Sequence, residues 1–249
     1  GNDIEIVNAG IDGQSTIGHI YNFKKWFPEV KNLKPKFIIF YIGINEYRSS
    51  KFNKYDNLND NSLLGNLKFY LKRNNGLFVN LYRKVNLNRI RPNNNDIVYH
   101  NPDLERIYLS KEIQINNIEK KKFKEWVDHE FLNRLNLLIN LTKEINAIPI
   151  FVSQKSRRWF KENEKIYEIE YKNIFEDENF ESYYIKEKKI DEVLKDFTKK
   201  NEVYFISGFN EFDFKENFFY DLIHTNILGS EHISEILYPF VNKIYYENF

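Results

Sequence analysis

The sequence predicts an α/β protein in which an open parallel sheet lies between two layers of helices. Short apolar segments such as KFIIFYIG (36–43) and IPIFVSQ (148–154) alternate with longer amphipathic segments. Apolar runs rich in β-branched and aromatic residues suit strands that are buried on both faces, as in a parallel sheet. The order strand, helix, strand, insertion, helix, strand, helix, strand, helix therefore indicates a three-layer α/β/α sandwich.

The first two elements are predicted near the start of the sequence. IEIVNAG (4–10) has the composition of a short strand that runs into a glycine turn. STIGHIYNFKKWF (15–27) has apolar residues at helical spacing. Ser15 or Thr16 can cap this helix, because a hydroxyl oxygen accepts the unpaired N–H groups of the first turn.

The later elements follow the same alternation. A long helix is predicted from Ile118 to Asn146, a second from Ser182 to Lys200 and a third from Asn226 to Tyr246. The first of these carries an apolar stripe. Its members are Trp126, Val127, Phe131, Leu135, Leu138, Leu141 and Ile145. VYFIS (203–207) is the last predicted strand, and no element is predicted over residues 155–180, which are charged and aromatic without a clear period.

One domain, residues 1–249, is predicted, with an insertion of helices and loops over residues 49–117. NSLLGNLKFYLKRN (61–74) and GLFVNLYRKV (76–85) have the pattern of two short amphipathic helices. Such an insertion either packs on the surface or covers a site as a lid, and surface packing is the commoner role.

Composition excludes several classes of function. The chain has 37 basic and 36 acidic residues, and this balance argues against nucleic acid as the main partner. It has no cysteine, which excludes disulfides, thiol nucleophiles and Cys-ligated metals. No apolar run approaches the length of a membrane span, about 18 residues. No cofactor and no metal site are predicted, and the compartment stays open.

Candidate site residues follow the predicted strands, where open α/β sheets place their sites. Gly13 precedes a helix, so its N–H can face an anion, although a turn glycine is commoner. Asn45 follows a buried strand and either donates its amide into a site or caps a turn. Gln154 ends the next strand. Asp221 and His224, spaced i and i+3, form either a local salt bridge or an oriented base.

Together these residues have the chemistry of acyl transfer. Two hydrogen-bond donors can form an oxyanion hole, and a carboxylate beside an imidazole can act as an oriented general base. A metal site would need more His, Asp or Glu side chains with ligand spacing. The set has no nucleophile.

Three segments together resemble the SGNH hydrolase family of GDSL-type esterases and acylhydrolases. VNAGIDGQST (7–16) is similar to the second block of the family, and YIGINEYR (41–48) to the third. DLIHTNILGSEHIS (221–234) is similar to the fifth block, in which Asp-x-x-His precedes a glycine and a helix. The resemblance covers both ends of the chain well and residues 51–112 poorly. It implies a flavodoxin-like sandwich.

The resemblance implies a role for each matched residue. Gly13 and Asn45 are expected to donate to the oxyanion, and Asp221 and His224 to complete a catalytic triad. Gln154 matches the end of a strand that closes with Thr-Gln in one bacterial branch, and it is expected to contact substrate. The implied activity is hydrolysis of a carboxylic ester, with a small molecule, a glycan or a lipid as the esterified group.

The sequence departs from the family at two places. Glu46 stands where the related branch often has Asp, and this change leaves the role of Asn45 intact. The block that carries the nucleophilic serine is not found, since Ser15 belongs to a helix start and Ser153 comes too late in the order. The serine is therefore expected upstream of Gly1, and residues 1–249 alone are expected to be inactive. The absent strand would be central, so its loss would expose apolar faces of its neighbours.

Three other readings stay open. The same residues could transfer an acyl group to a cell-surface glycan instead of to water. A non-catalytic binding module could keep the fold without the serine. A flavodoxin-like nucleotide or flavin binder would need a phosphate loop after the first strand, and GIDGQST (10–16) lacks the lysine of a P-loop.

Overall fold

The computed structural model describes residues 6–11, 13–46, 104–109, 117–162, 165–171 and 183–248. The strands in these residues are Phe37–Ile42 (β1), Leu104–Leu109 (β2), Ile148–Ser153 (β3), Trp159–Glu162 (β4), Lys165–Tyr171 (β5) and Tyr204–Ile206 (β6). The helices are Thr16–Lys25 (α1), Asn117–Trp126 (α2), Leu132–Glu144 (α3), Tyr183–Lys200 (α4), Gly208–Glu211 (α5) and Ile227–Asn248 (α6).

A parallel sheet of three strands, in the order β1, β3, β6, forms the centre of the described structure. Phe40 of β1 lies beside Phe151 of β3, and Val152 of β3 lies beside Ile206 of β6. The connection from β1 to β3 contains α2 and α3, and the connection from β3 to β6 contains α4. Parallel neighbours need such crossovers. The three apolar segments predicted as strands at these positions are confirmed.

Helices cover both faces of this sheet. On one face Phe40 and Phe151 pack with buried side chains of α1, α3 and α4. On the other face Ile150 and Val152 pack with Ile244 and other apolar side chains of α6. Residues 150–152 thus alternate between two cores, as the pleat of a strand requires. The described part of the chain is a mixed α/β structure compatible with an α/β sandwich.

The apolar stripe predicted along the long helix is confirmed. Trp126, Val127, Phe131, Leu135 and Leu138 are all buried in the core beneath β1 and β3. The helix is interrupted by one π-helical turn, Val127–Phe131, which joins α2 to α3. Buried side chains on both sides of this turn, Trp126 and Leu135 among them, belong to the same core.

The prediction of a first strand at IEIVNAG is wrong over its described part. Residues 6–10 form no strand, and Ile6 and Val7 are 87% and 65% exposed. Among the described residues β1 pairs only with β3, so residues 6–10 have no adjacent strand that could satisfy their N–H and C=O groups. Ile39 of β1 is 44% exposed, so β1 is not buried on both faces as predicted.

A second sheet corrects the prediction of a purely parallel architecture. β2, β5 and β4 form an antiparallel sheet in that order, with Tyr108 beside Tyr167. Two of its strands lie in residues 155–180, where no element is predicted, and β2 lies in the predicted insertion. The two helices predicted at 61–74 and 76–85 lie outside the described residues.

Candidate active site

The two predicted oxyanion donors lie in loops that contact each other. The Nδ2 of Asn45 donates a hydrogen bond of 3.1 Å to the carbonyl of Gln14, the residue after Gly13. Nδ2 carries two protons, and the second one has no acceptor among the described residues. Gly13 has a φ of +76°, a left-handed conformation that glycine adopts without strain. Its N–H makes no hydrogen bond within the described residues.

Glu46 joins the Asn45 loop to the start of α1. Its carboxylate, 1% exposed, accepts the backbone N–H of Thr16 at 2.6 Å and the Thr16 hydroxyl at 2.8 Å. Ser15 caps the same helix and accepts the N–H of Ile17, as predicted. A negative charge is favourable at a helix N-terminus, where unpaired N–H groups point outwards. Glu46 therefore joins the loop that carries Asn45 to the start of the helix that follows Gly13.

Glu46→Ala is expected to lower the free energy of unfolding by about 2–3 kcal/mol, because two buried donors of Thr16 lose their acceptor. Glu46→Gln should cost less, since its amide can both accept the N–H and donate to the hydroxyl. Urea unfolding measures both changes, with the exposed Glu29→Ala as matched control. Equal stability of the alanine variant and the wild type would contradict the assigned role.

Gln154 lies against the same loop. Its Oε1 accepts the N–H of Ile44 at 2.8 Å, and its own N–H donates to the carbonyl of Ile42 at 2.8 Å. A Cβ on Gly43 would lie 3.2 Å from the Cβ of Gln154, and Gly43 has a φ of +156°. The side-chain oxygen of Gln154 thus positions the Asn45 loop. The sequence predicts a contact of Gln154 with substrate and not this structural role.

Asp221 and His224 form the predicted pair. Oδ2 of Asp221 lies 2.6 Å from Nδ1 of His224. Oδ1 of Asp221 accepts the backbone N–H groups of Ile223 and His224, each at 2.7 Å. Partial burial acts to raise the pKa of Asp221, but these hydrogen bonds outweigh it, and the net pKa is lowered. The carboxylate is therefore ionised at neutral pH and can only accept, so Nδ1 carries a proton. When the ring is neutral, its lone pair is then on Nε2.

The turn that carries this pair is closed by its own backbone. Tyr220 donates its N–H to the carbonyl of His224 at 3.1 Å, and its ring stacks on the imidazole with centroids 5.5 Å apart. The carbonyl of the buried Leu222 accepts the N–H of Arg157 at 3.0 Å. Residues 154–157 therefore contact the Asn45 loop at one end and the Asp221–His224 turn at the other.

A buried carboxylate that sequence reasoning missed holds residues 154–157 in place. Glu187 of α4 accepts hydrogen bonds from the N–H and the hydroxyl of Ser156 and, at 2.6 Å, from Nε1 of Trp159. Burial raises the pKa of Glu187, against the lowering effect of these bonds and of Arg158. Burial likewise lowers the pKa of Lys155. The sequence does contain a signal that Glu187 is buried. Glu187 lies three residues before Ile190 and seven before Leu194, which are both buried, and this spacing puts it on the apolar face of α4.

Glu187→Gln is expected to gain stability relative to the wild type as the pH rises. A raised carboxyl pKa means that the folded protein favours the protonated form of Glu187. The contribution of Glu187 to the free energy of unfolding is therefore complete below its usual pKa of 4.5. It declines as the pH rises through the higher pKa of the folded state. Glutamine stays neutral and removes this decline. Urea unfolding at about pH 4 and about pH 8 measures the difference. The exposed Glu192→Gln on the same helix is the control, and a pH-independent difference at Glu187 would refute the prediction.

Five of the six described serines have a partner other than the Asp221–His224 pair. Ser153 and Ser207 bond to Asp191, and Ser156 bonds to Glu187. Ser15 caps α1, and Ser230 lies on α6 beside Thr225. The sixth, Ser234, lies exposed on α6 and makes no hydrogen bond to His224.

Two kinds of feature are absent from the described part of the chain. No group of His, Asp or Glu side chains there has the arrangement of a metal site. No helix there combines the length and the apolar character that crossing a membrane requires.

Comparison with known proteins gives no match: no family model fits the sequence, and neither curated proteins nor solved structures show a significant similarity. The described fold defines a mixed α/β protein with a parallel three-stranded sheet.

Proposed function

We propose that this protein is a serine esterase or acylhydrolase of the SGNH type. The single observation that carries the proposal is the bond from Nδ1 of His224 to the ionised Asp221. This bond puts the lone pair of the ring on Nε2 whenever the ring is neutral. A carboxylate–imidazole pair in this orientation is what a general base for a serine requires. The contact between Asn45 and the Gly13–Gln14 loop supports the proposal, because it brings together the two residues that would donate hydrogen bonds to an oxyanion, Gly13 and Asn45.

In the proposed reaction a serine from outside the described residues attacks the ester carbonyl. His224 takes the serine proton on Nε2 and returns it to the leaving alcohol. Asp221 holds the ring in the required tautomer and stabilises the imidazolium. The N–H of Gly13 and the amide of Asn45 donate to the oxyanion, and water then releases the acyl group by the same sequence of proton transfers.

The test uses the intact protein that contains these residues. Hydrolysis of p-nitrophenyl acetate is expected, and a fluorophosphonate probe should label one serine, which peptide mass spectrometry would locate outside the described residues. His224→Ala should remove both hydrolysis and labelling. Hydrolysis that persists in His224→Ala, or an intact protein that neither hydrolyses the ester nor takes the label, would overturn the proposal.

A further inference from the structure

We propose that the depression beside His224 binds a neutral sugar, the esterified alcohol of the substrate, an inference that rests on the proposed function. The depression has a volume of about 660 Å³ and is open to solvent. Tyr220 and Thr225 line it on the side of the turn, and Ile227, Ser230, Glu231 and Ser234 line it along the first two turns of α6. Its volume is in the range of small-molecule sites.

The depression borders the turn that carries the proposed base. Tyr220 stacks on the imidazole of His224 with an angle of 7° between the ring planes, and Thr225 directly follows His224 in the chain. A group seated against Tyr220 therefore contacts a side chain that itself packs on His224, the residue that returns a proton to the leaving alcohol. The alcohol part of the ester is the part that fits here.

The chemistry of the lining selects a sugar. Tyr220, 39% exposed, and Ile227, 78% exposed, offer carbon surface for the apolar face of a pyranose ring. The hydroxyls of Thr225 and Ser230, which lie 3.2 Å apart, and the carboxylate of Glu231 offer partners for sugar hydroxyls.

The same lining disfavours the two commonest other groups. An acyl chain could cover the carbon surface of the lining, but it would also remove water from the hydroxyls of Thr225 and Ser230 and from the carboxylate of Glu231 without replacing their hydrogen bonds, which costs free energy. A phosphate would meet the charge of Glu231, and no lysine or arginine lines the depression among the described residues. A cationic alcohol such as choline is the competing ligand, because an aromatic ring beside a carboxylate also suits it.

The experiment is a titration of the isotope-labelled protein with cellobiose, followed by ¹H–¹⁵N NMR spectra. Chemical-shift changes are expected in residues 220–234. Tyr220→Ala should weaken binding about tenfold or more, since it removes the ring on which the sugar packs. Ser234→Gln, at an exposed helix position where misfolding is not expected, should weaken it by filling the depression. Tyr238→Ala, at a 60% exposed tyrosine outside the depression, is the matched control.

Shifts that are absent, that lie elsewhere, or that survive both Tyr220→Ala and Ser234→Gln would overturn the sugar site, as would tighter binding of choline than of cellobiose. The titration needs no catalysis, so His224→Ala should still bind cellobiose. The two proposals can therefore fail separately. Cellobiose binding without hydrolysis of p-nitrophenyl acetate contradicts only the esterase, and hydrolysis without cellobiose binding contradicts only the sugar site.

Discussion

Asp221→Asn is expected to lower ester turnover about 10⁴-fold while the fold stays intact. The Oδ1 of asparagine can still accept the N–H groups of Ile223 and His224, which Asp221 accepts at 2.7 Å. Its amide nitrogen, however, would face Nδ1 of His224 and donate to it. The ring would then carry its proton on Nε2, where the base needs a lone pair. The variant is nearly isosteric, so the loss reports on the tautomer and not on packing.

The measurement compares kcat and kcat/KM of the intact wild-type protein and variant, with urea unfolding as the check on stability. Asp213→Asn, an exposed change in the preceding loop, is the matched control and should keep full activity. The lowered pKa of Asp221 adds a second readout. Because the carboxyl pKa is depressed, the contribution of Asp221 to stability is present above its usual pKa of 3.8. That contribution is lost only as the pH falls through the lower pKa of the folded state. An asparagine variant within tenfold of wild-type turnover would exclude Asp221 from the mechanism.

Strands and helices with a strong internal pattern could be predicted from the sequence alone. The run Phe37–Ile42 is apolar and β-branched, and it is a strand in the structure. The stripe from Trp126 to Leu138 has helical spacing, and its members are buried. In both segments burial of the apolar side chains agrees with the local preference of the backbone, so no distant contact is needed to choose the structure.

Elements that depend on a distant partner could not be predicted in the same way. Lys165–Tyr171 alternates charged and apolar residues weakly, and it becomes a strand by pairing with Leu104–Leu109, about 60 residues earlier in the chain. Residues 6–10 show the opposite outcome. They have strand composition, but no described strand pairs with them, and they are irregular.

The contacts of the candidate site differ in the same way, since some join residues that are close in the sequence and others join residues that are distant. Asp221 and His224 are three residues apart, so their contact within one turn could be foreseen from spacing. The bond from Asn45 to Gln14 joins residues 31 apart, and the bonds from Glu46 to Thr16 join residues 30 apart. Such contacts depend on how β1 and α1 pack. The sequence therefore predicts which side chains have suitable chemistry, and the fold determines which of them meet.

Asn45→Ala is expected to reduce kcat about 10²–10³-fold with little change in KM, because an oxyanion donor acts on the transition state and not on the bound ester. The substitution also removes the bond of 3.1 Å to the carbonyl of Gln14, which should cost about 1 kcal/mol of stability. Activity and stability therefore have to be measured separately. A thermostatted assay well below the unfolding transition, with urea unfolding of the same samples, separates the two effects.

The matched control is Asn133→Ala, which removes a bond of 2.8 Å from a side-chain amide to the carbonyl of His129 on an exposed face of α3. It should lose comparable stability and no activity. If Asn45→Ala behaved like Asn133→Ala, Asn45 would serve only to join two loops. A fall in kcat confined to Asn45→Ala, at equal stability of the two variants, would require that its second amide proton reaches the developing oxyanion. The lone N–H of Gly13 could not replace it there, since each donor of such a hole contributes on its own about 2.7–4 kcal/mol to the transition state.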